Sequence, residues 1–253
     1  MIGRHALRLE FHKMRRLRTA PITAAMVVAV AALSVAFGLY AGGAQQTLDD
    51  PSAHPWEGLL LSYTTMAAMT SPILAAVLAS RQTDIEHTGS GWILAATAGR
   101  PSGALCRAKL AVLAIVLLPA VAVQTLLVLV AGVLVGIIVP FDMGPWLGYS
   151  LLLFLVDAAF CALHIWLAAS VENQLVSVGV GMLGAFLAVF SLLIPADVGR
   201  LIPWGYYAVI SHASQIGGDA AYVVPPYGWV AGFLILVGVV FAVATRRLDR
   251  AER

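Results

Sequence analysis

The chain has 253 residues, 60% of them hydrophobic and only 11% charged, with a formal net charge of +2 and a mean hydropathy of +0.90. Soluble domains carry about 25% charged and about 45–50% apolar residues, so this composition excludes an ordinary soluble enzyme, a disordered chain and a nucleic-acid-binding module. A membrane-spanning helix needs about 20 apolar residues, and six of them with their loops use up the length, leaving no room for a catalytic domain outside the bilayer.

Residues 1–20 read as an interfacial amphipathic helix. Leu7, Phe11, Met14 and Leu17 recur on one helical face, while Arg4, Arg8, Arg15 and Arg18 take others. Such a helix lies in the headgroup plane, apolar side down, and Pro21 permits a bend into the first span, residues 22–41. That run of about 20 residues is longer than the roughly 7–15 of a secretory signal. It therefore reads as an uncleaved span, although the small residues Ala41-Gly42-Gly43-Ala44 resemble a cleavage site.

The second span, 58–80, carries a ribbon of small residues, Ala67, Ser71, Ala75 and Ala79, suited to close helix packing. Pro72 interrupts it, with Thr70 and Ser71 placed to satisfy the freed carbonyls. A cytoplasmic loop follows over 81–108. Thr83-Asp84-Ile85-Glu86 has capping-box spacing and predicts the start of a short helix, which Gly89 and Gly91 then end. Trp92-Ile93-Leu94 is an apolar patch that needs a home, in the membrane interface or in a groove on a partner protein.

Pro101 suits the first turn of the next helix. The third span, 109–139, contains Pro119, the deep polar Gln124 and a Gly132/Gly136 packing motif. The fourth (146–170) and fifth (175–195) are joined by 171–174 as a tight hairpin, and Ser177, Gly181 and Ala185 form a further small-residue face. An outer loop over 196–226 is apolar and aromatic at 201–210, so it is expected to dip into the membrane or lie along it. The sixth span is 227–245.

Lys and Arg set the orientation. Arg4, Arg8, Lys13, Arg15, Arg16 and Arg18, then Arg81, Arg100, Arg107 and Lys109, then Arg246, Arg247, Arg250 and Arg253 fall on one side of a six-span arrangement. Of the 15 basic residues only Arg200 lies opposite. The fold class is therefore all-α and polytopic, a single transmembrane domain over 1–253 with both termini cytoplasmic. Its place is the inner (plasma) membrane, where the basic residues meet anionic lipid and need no nucleic acid.

Asp157 lies 11 residues past Trp146, roughly 16 Å into the bilayer. A carboxylate there costs about 2.5–3.5 kcal/mol, so it is paired, protonated or facing a wet cavity. Cys161 and His164 follow on the same face, and Gln124 is a candidate partner. This face either lines a translocation path or carries a proton, or Asp157 simply bonds a neighbouring helix. Asp-Cys-His over seven residues has no recognised metal geometry, and the two cysteines suggest no disulfide. No GxxxxGK[ST], HExxH or GxSxG occurs, so the chain is read as no enzyme and binds no cofactor itself.

One further pattern is the order of short segments: Leu7-Arg8-Leu9-Glu10-Phe11-His12-Lys13, then Ser71-Pro72-Ile73-Leu74-Ala75-Ala76 leading to Ile85-Glu86-His87 and Gly91-Trp92. Arg107-Ala108-Lys109-Leu110 and Ile202-Pro203-Trp204 complete it. Over its whole length the chain resembles the permease subunits of type-2 ABC exporters, in particular the lantibiotic-immunity and bacitracin-resistance branch. The resemblance implies a pair of permeases, homodimer or heterodimer, with separate ABC ATPase subunits that hold ATP and Mg. It implies that 81–108 is the coupling loop, with Asp84, Ile85, Glu86, His87 and Trp92 docking on the ATPase. It implies that 201–210 is a re-entrant hairpin, and that an amphipathic antimicrobial peptide or hydrophobic drug is expelled by alternating access. Gln124, Asp157 and His164 are the polar residues of a translocation path, though Asp157 matches no family motif. A proton-coupled secondary transporter using Asp157, and a membrane anchor or sensor without transport, are the competing readings.

Overall fold

A computed structural model describes residues 4–41 and 48–251; the small-residue run past Ala41 and Arg253 lie outside them. Helix α1 (Arg4–Arg16) leads into α2 (Thr19–Ala41). The bend between them falls at Arg18, with φ of 52°, and not at Pro21, which sits in the first turn of α2 where no N–H partner is missed. Thr19 Oγ1 donates to Met14 O at 2.8 Å across the bend.

After a 3-10 turn at Pro51–Ala53, α3 runs from Pro55 to Thr88 without interruption, about 51 Å at 1.5 Å per residue. The capping-box expectation fails here. Thr83 Oγ1 donates to Ala79 O four residues back, the pattern of a helix interior rather than a start. The chain breaks at Gly89 and Ser90, as the glycines implied, and the short helix is α4 (Gly91–Thr97). Pro72 does not break α3 either. Thr70 serves Met66 O at 2.7 Å and not the carbonyl that Pro72 frees, while Ser71 is committed elsewhere.

Helix α5 (Ser102–Val135) begins seven residues before the expected span and ends where Gly136 takes φ of 110°. Gly132 lets α5 approach Trp56 and Leu59 of α3, but Gly136 is a terminator, so the pair is not a packing motif. Helices α6 (Met143–Ser170) and α7 (Gln174–Ser191) make the expected hairpin. Asn173 closes the start of α7 by accepting from Leu175 N at 2.9 Å.

The outer connection is more structured than its composition announced. It contains α8 (Ala196–Gly199), a 3-10 turn at Pro203–Gly205, α9 (Tyr206–Val209), and strands β1 (Ala213–Ile216) and β2 (Asp219–Tyr222). The strands pair antiparallel with Ala213 opposite Tyr222. Gly217 and Gly218 take φ of 64° and 105°, as a two-residue turn with positive φ at both centres requires. Helix α10 (Tyr227–Ala251) ends the described chain.

Among the described residues six helices are long and apolar enough to cross a membrane: α2, α3, α5, α6, α7 and α10. The core sits along α3, where Ala67, Ser71, Ala75 and Ala79 are all buried. Gly181 of α7 lies so close to Ala76 and Pro72 of α3 that a Cβ would collide with both. Gly181 of α7 thus meets α3 beside the ribbon, while Ser71 of the ribbon itself bonds Asp157 of α6. Residues such as Leu118, Leu126, Val130 and Leu134 on α5 stay exposed; lipid is as apolar as leucine and gives helices no reason to hide them.

Candidate functional site

Where α1, the end of α3 and the start of α5 converge, four charged side chains close a ring. Lys109 is fully buried, and its Nζ lies 2.8 Å from Glu10 Oε2, 2.7 Å from Glu86 Oε1 and 2.8 Å from Gln82 O. These three acceptors use the three protons of the ammonium. Lys13 closes the other side, 2.9 Å from Glu10 Oε1 and 2.5 Å from Glu86 Oε1. Signs alternate around the ring and sum to zero. Burial works against the Lys13 charge, but its hydrogen bonds to Glu10 and Glu86 prevail and hold its pKa above the ordinary lysine value.

Helix α4 rests directly on this ring. A side chain at Gly91 would strike the Glu86 carboxylate, so only glycine permits the contact. A second tie runs through His87. Its Nδ1 accepts from Trp92 Nε1 at 3.3 Å and its Nε2 donates to Ala168 O at 2.8 Å, which joins α4, α3 and the end of α6. Asp84 and Ile85 are half-buried on the last turns of α3. Glu86 is 2% exposed and belongs to the interior, not to a surface that a partner touches. What α4 presents outward is Ile93 and Leu94, 66% and 65% exposed.

Asp249 of α10 binds the same end of the bundle. It pairs with Arg107 at 3.0 Å and accepts from Ala104 N at 3.1 Å, capping α5. Gly103 lies against Thr245 O with no space for a Cβ. Both ends of the described chain therefore meet at the face that carries almost all the basic residues.

The three polar residues expected to line a path are not brought together. Asp157, in the middle of α6, accepts from Tyr207 Oη of α9 at 2.8 Å and from the Ser71 hydroxyl of α3. Gln124 is not its partner: Gln124 Nε2 donates to Tyr63 Oη at 3.2 Å, and Tyr63 also bonds Thr125 at 3.1 Å. His164 meets Ser177 of α7 at 3.0 Å. Each of the three ties neighbouring helices, and none lines the cavities described here. Replacing Tyr207 with Phe strips a buried carboxyl of one of its two donors, and a loss of about 1–3 kcal/mol in stability is expected. Thermal unfolding in detergent measures it, and a Tyr207→Phe protein as stable as wild type would show that the bond contributes nothing.

At the end opposite the ring, a cavity of about 910 Å³ opens between α2, α3, α7 and the outer connection. His54, Ser62, Thr65, Ser191, Arg200, Ser211, Ser214, Gln215 and Asp219 supply polar groups to its lining. Among the described residues no group of three or more His, Cys, Asp or Glu is placed to hold a metal, and both cysteines are buried and free.

The ring, Asp249, the outer hairpin and the contacts of Tyr207 are what the sequence reading missed. Glu10 and Lys109 did carry a signal, being charges set beside apolar residues inside two helices.

A family model described as ABC-2 family transporter protein matches residues 6–188, most of the chain and all of the ring. No curated protein matches it. Six crossing helices and this match together make the chain a multi-pass membrane protein that belongs to the ABC-2 transporter family, whose members are the membrane component served by separate ABC ATPase subunits.

Proposed function

We propose that this permease exports an amphipathic antimicrobial peptide or a hydrophobic drug by alternating access, in the manner of the lantibiotic-immunity and bacitracin-resistance exporters. The carrying observation is α4. It exposes two large apolar side chains at the basic end, and it sits on a buried charge ring that ties three helices together. An ATPase that grips Ile93 and Leu94 pulls on α3 through the Glu86 contact and on α6 through His87. The basic end faces the cytoplasm by the charge bias, which puts both termini inside and α1 at the inner interface. The segment 201–210 is a re-entrant element: Tyr207 reaches Asp157, halfway along α6. The working unit is a pair of permeases, this chain with itself or with a paralogue, and two ATPases.

ATP then acts by stabilising one permease conformation over the other, and the substrate by its different affinity for the two. The test is uptake of a fluorescent cationic antimicrobial peptide by inside-out vesicles holding permease and ATPase. Uptake is expected with ATP and is expected to persist when the pH gradient is collapsed. Uptake driven by a pH gradient without ATP, and lost in Asp157→Asn, would replace this reading with proton coupling. The partners of Asp157 favour the first outcome, because two hydroxyls already satisfy it.

A further inference from the structure

A second cavity, of about 870 Å³, lies on the flank of the bundle between α6, α10 and the segment around residues 200–206. Its walls are Phe160, Leu163, Trp166, Trp204, Phe233 and Leu236 among other apolar residues. It follows α10 from Gly228 to Ala244, about 24 Å, so it is long and narrow. Gly228 and Gly232 form part of its floor, and a Cβ at either would meet nothing within 4 Å. These two glycines leave open space at the lipid-facing surface instead of admitting a neighbouring helix of this chain.

One charge stands in this groove. Among its described lining residues only Arg200 is ionised, and Arg200 lines the outer cavity as well, so the two spaces meet at its guanidinium. Arg200 Nε is buried and has no hydrogen-bond partner. One terminal nitrogen pairs with Asp197 at 2.8 Å, but the Asp197 side chain is 86% exposed, and such a pair holds by about 0–1 kcal/mol. Trp229 packs a ring face 5.8 Å from the guanidinium carbon and keeps it at the groove's end. The arrangement is an apolar channel of ligand-pocket size ending in a cation whose side chain is still 24% exposed.

We infer that this flank groove binds an anionic phospholipid of the surrounding bilayer, acyl chain along α10 and phosphate on Arg200, at the junction with the outer cavity. A second copy's helix is the other conceivable occupant. It is disfavoured because a symmetric contact sets this flank against the same flank, and Arg200 near its own copy, whereas a phosphate brings an anion to a cation whose only charged partner is the exposed Asp197. The inference goes beyond the export reading and does not depend on it, since lipid binding is read without ATPase or transport.

The experiment is native mass spectrometry of the detergent-purified permease with dioleoyl phosphatidylglycerol or dioleoyl phosphatidylcholine added. Wild type is expected to retain the anionic lipid preferentially. Arg200→Gln is expected to lower that retention about fivefold, the worth of one cation near a lipid phosphate, while Arg200→Lys keeps most of it. Gly232→Phe puts a ring into the groove from a position where a Cβ meets nothing within 4 Å, and it is expected to abolish retention of both lipids at unchanged thermal stability. Gly228→Leu gives a second plug should Gly232→Phe unfold. Unchanged preference in Arg200→Gln, or unchanged retention in a folded plugged variant, would overturn the inference. So would a plugged variant that loses a dimer mass while holding its lipid, which would identify a second copy as the occupant.

Discussion

Replacing Lys109 with alanine is expected to be the most damaging single change in the chain, costing about 3–5 kcal/mol. The ammonium satisfies Glu10, Glu86 and the Gln82 carbonyl at once. Without it, two buried carboxylates share only Lys13. Folded proteins are stable by about 5–15 kcal/mol, so the loss is a large share of the total, and thermal unfolding in detergent reads it directly. Adding Glu86→Gln to Lys109→Met is expected to recover part of the loss, because the uncompensated charge goes with it. Lys13→Ala is expected to cost far less, since its side chain is 31% exposed and water replaces it. Equal losses at Lys13 and Lys109 would mean that burial does not set the value of this ring.

Introducing aspartate at both Ile93 and Leu94 is expected to leave the fold intact and sever ATPase coupling. Two interface anchors together carry about 4 kcal/mol, or about a thousandfold in affinity. Both side chains are largely exposed in the permease alone, so no contact within the chain is lost. The measurement is co-purification with the ATPase together with substrate-stimulated ATP hydrolysis, and both are expected to fall to background. Glu86→Gln belongs to the other class of defect: its carboxylate faces Lys109 and Lys13, so its effect is expected in stability and not in docking. A double aspartate variant that binds and couples normally would remove α4 from the docking surface.

The spans were legible because hydropathy is a local property: a run of apolar residues must cross whatever its neighbours are. The gathering of Lys and Arg at one end of the bundle was equally legible, by counting alone. The ring was not, because Glu10, Glu86 and Lys109 come from segments far apart in the chain, and each looks like a flanking charge until the helices pack. The capping box at Thr83 misled for a related reason. Ser/Thr-x-x-Glu spacing suits a helix start, but Glu86 had a stronger partner in Lys109 and the helix simply continued. Asp157 was recognised as needing a partner, yet its donor is a tyrosine 50 residues on, in a segment whose aromatic composition suggested only that it lies near lipid. The hairpin left one local trace, the Gly217-Gly218 pair, too short a signal to stand out in a glycine-rich chain.

The ring also bears on how the chain is made. Glu10 emerges from the ribosome well before the ammonium that neutralises it, which belongs to the third crossing helix. Asp157 waits in the same way for Tyr207, and Arg107 for Asp249. During synthesis each early charge must be held by water, lipid headgroups or the insertion machinery until its counterpart arrives. Chains cut short before residue 109 therefore carry Glu10 and Glu86 with Lys13 alone to close the ring, so the ring assembles only once the third crossing helix is in place.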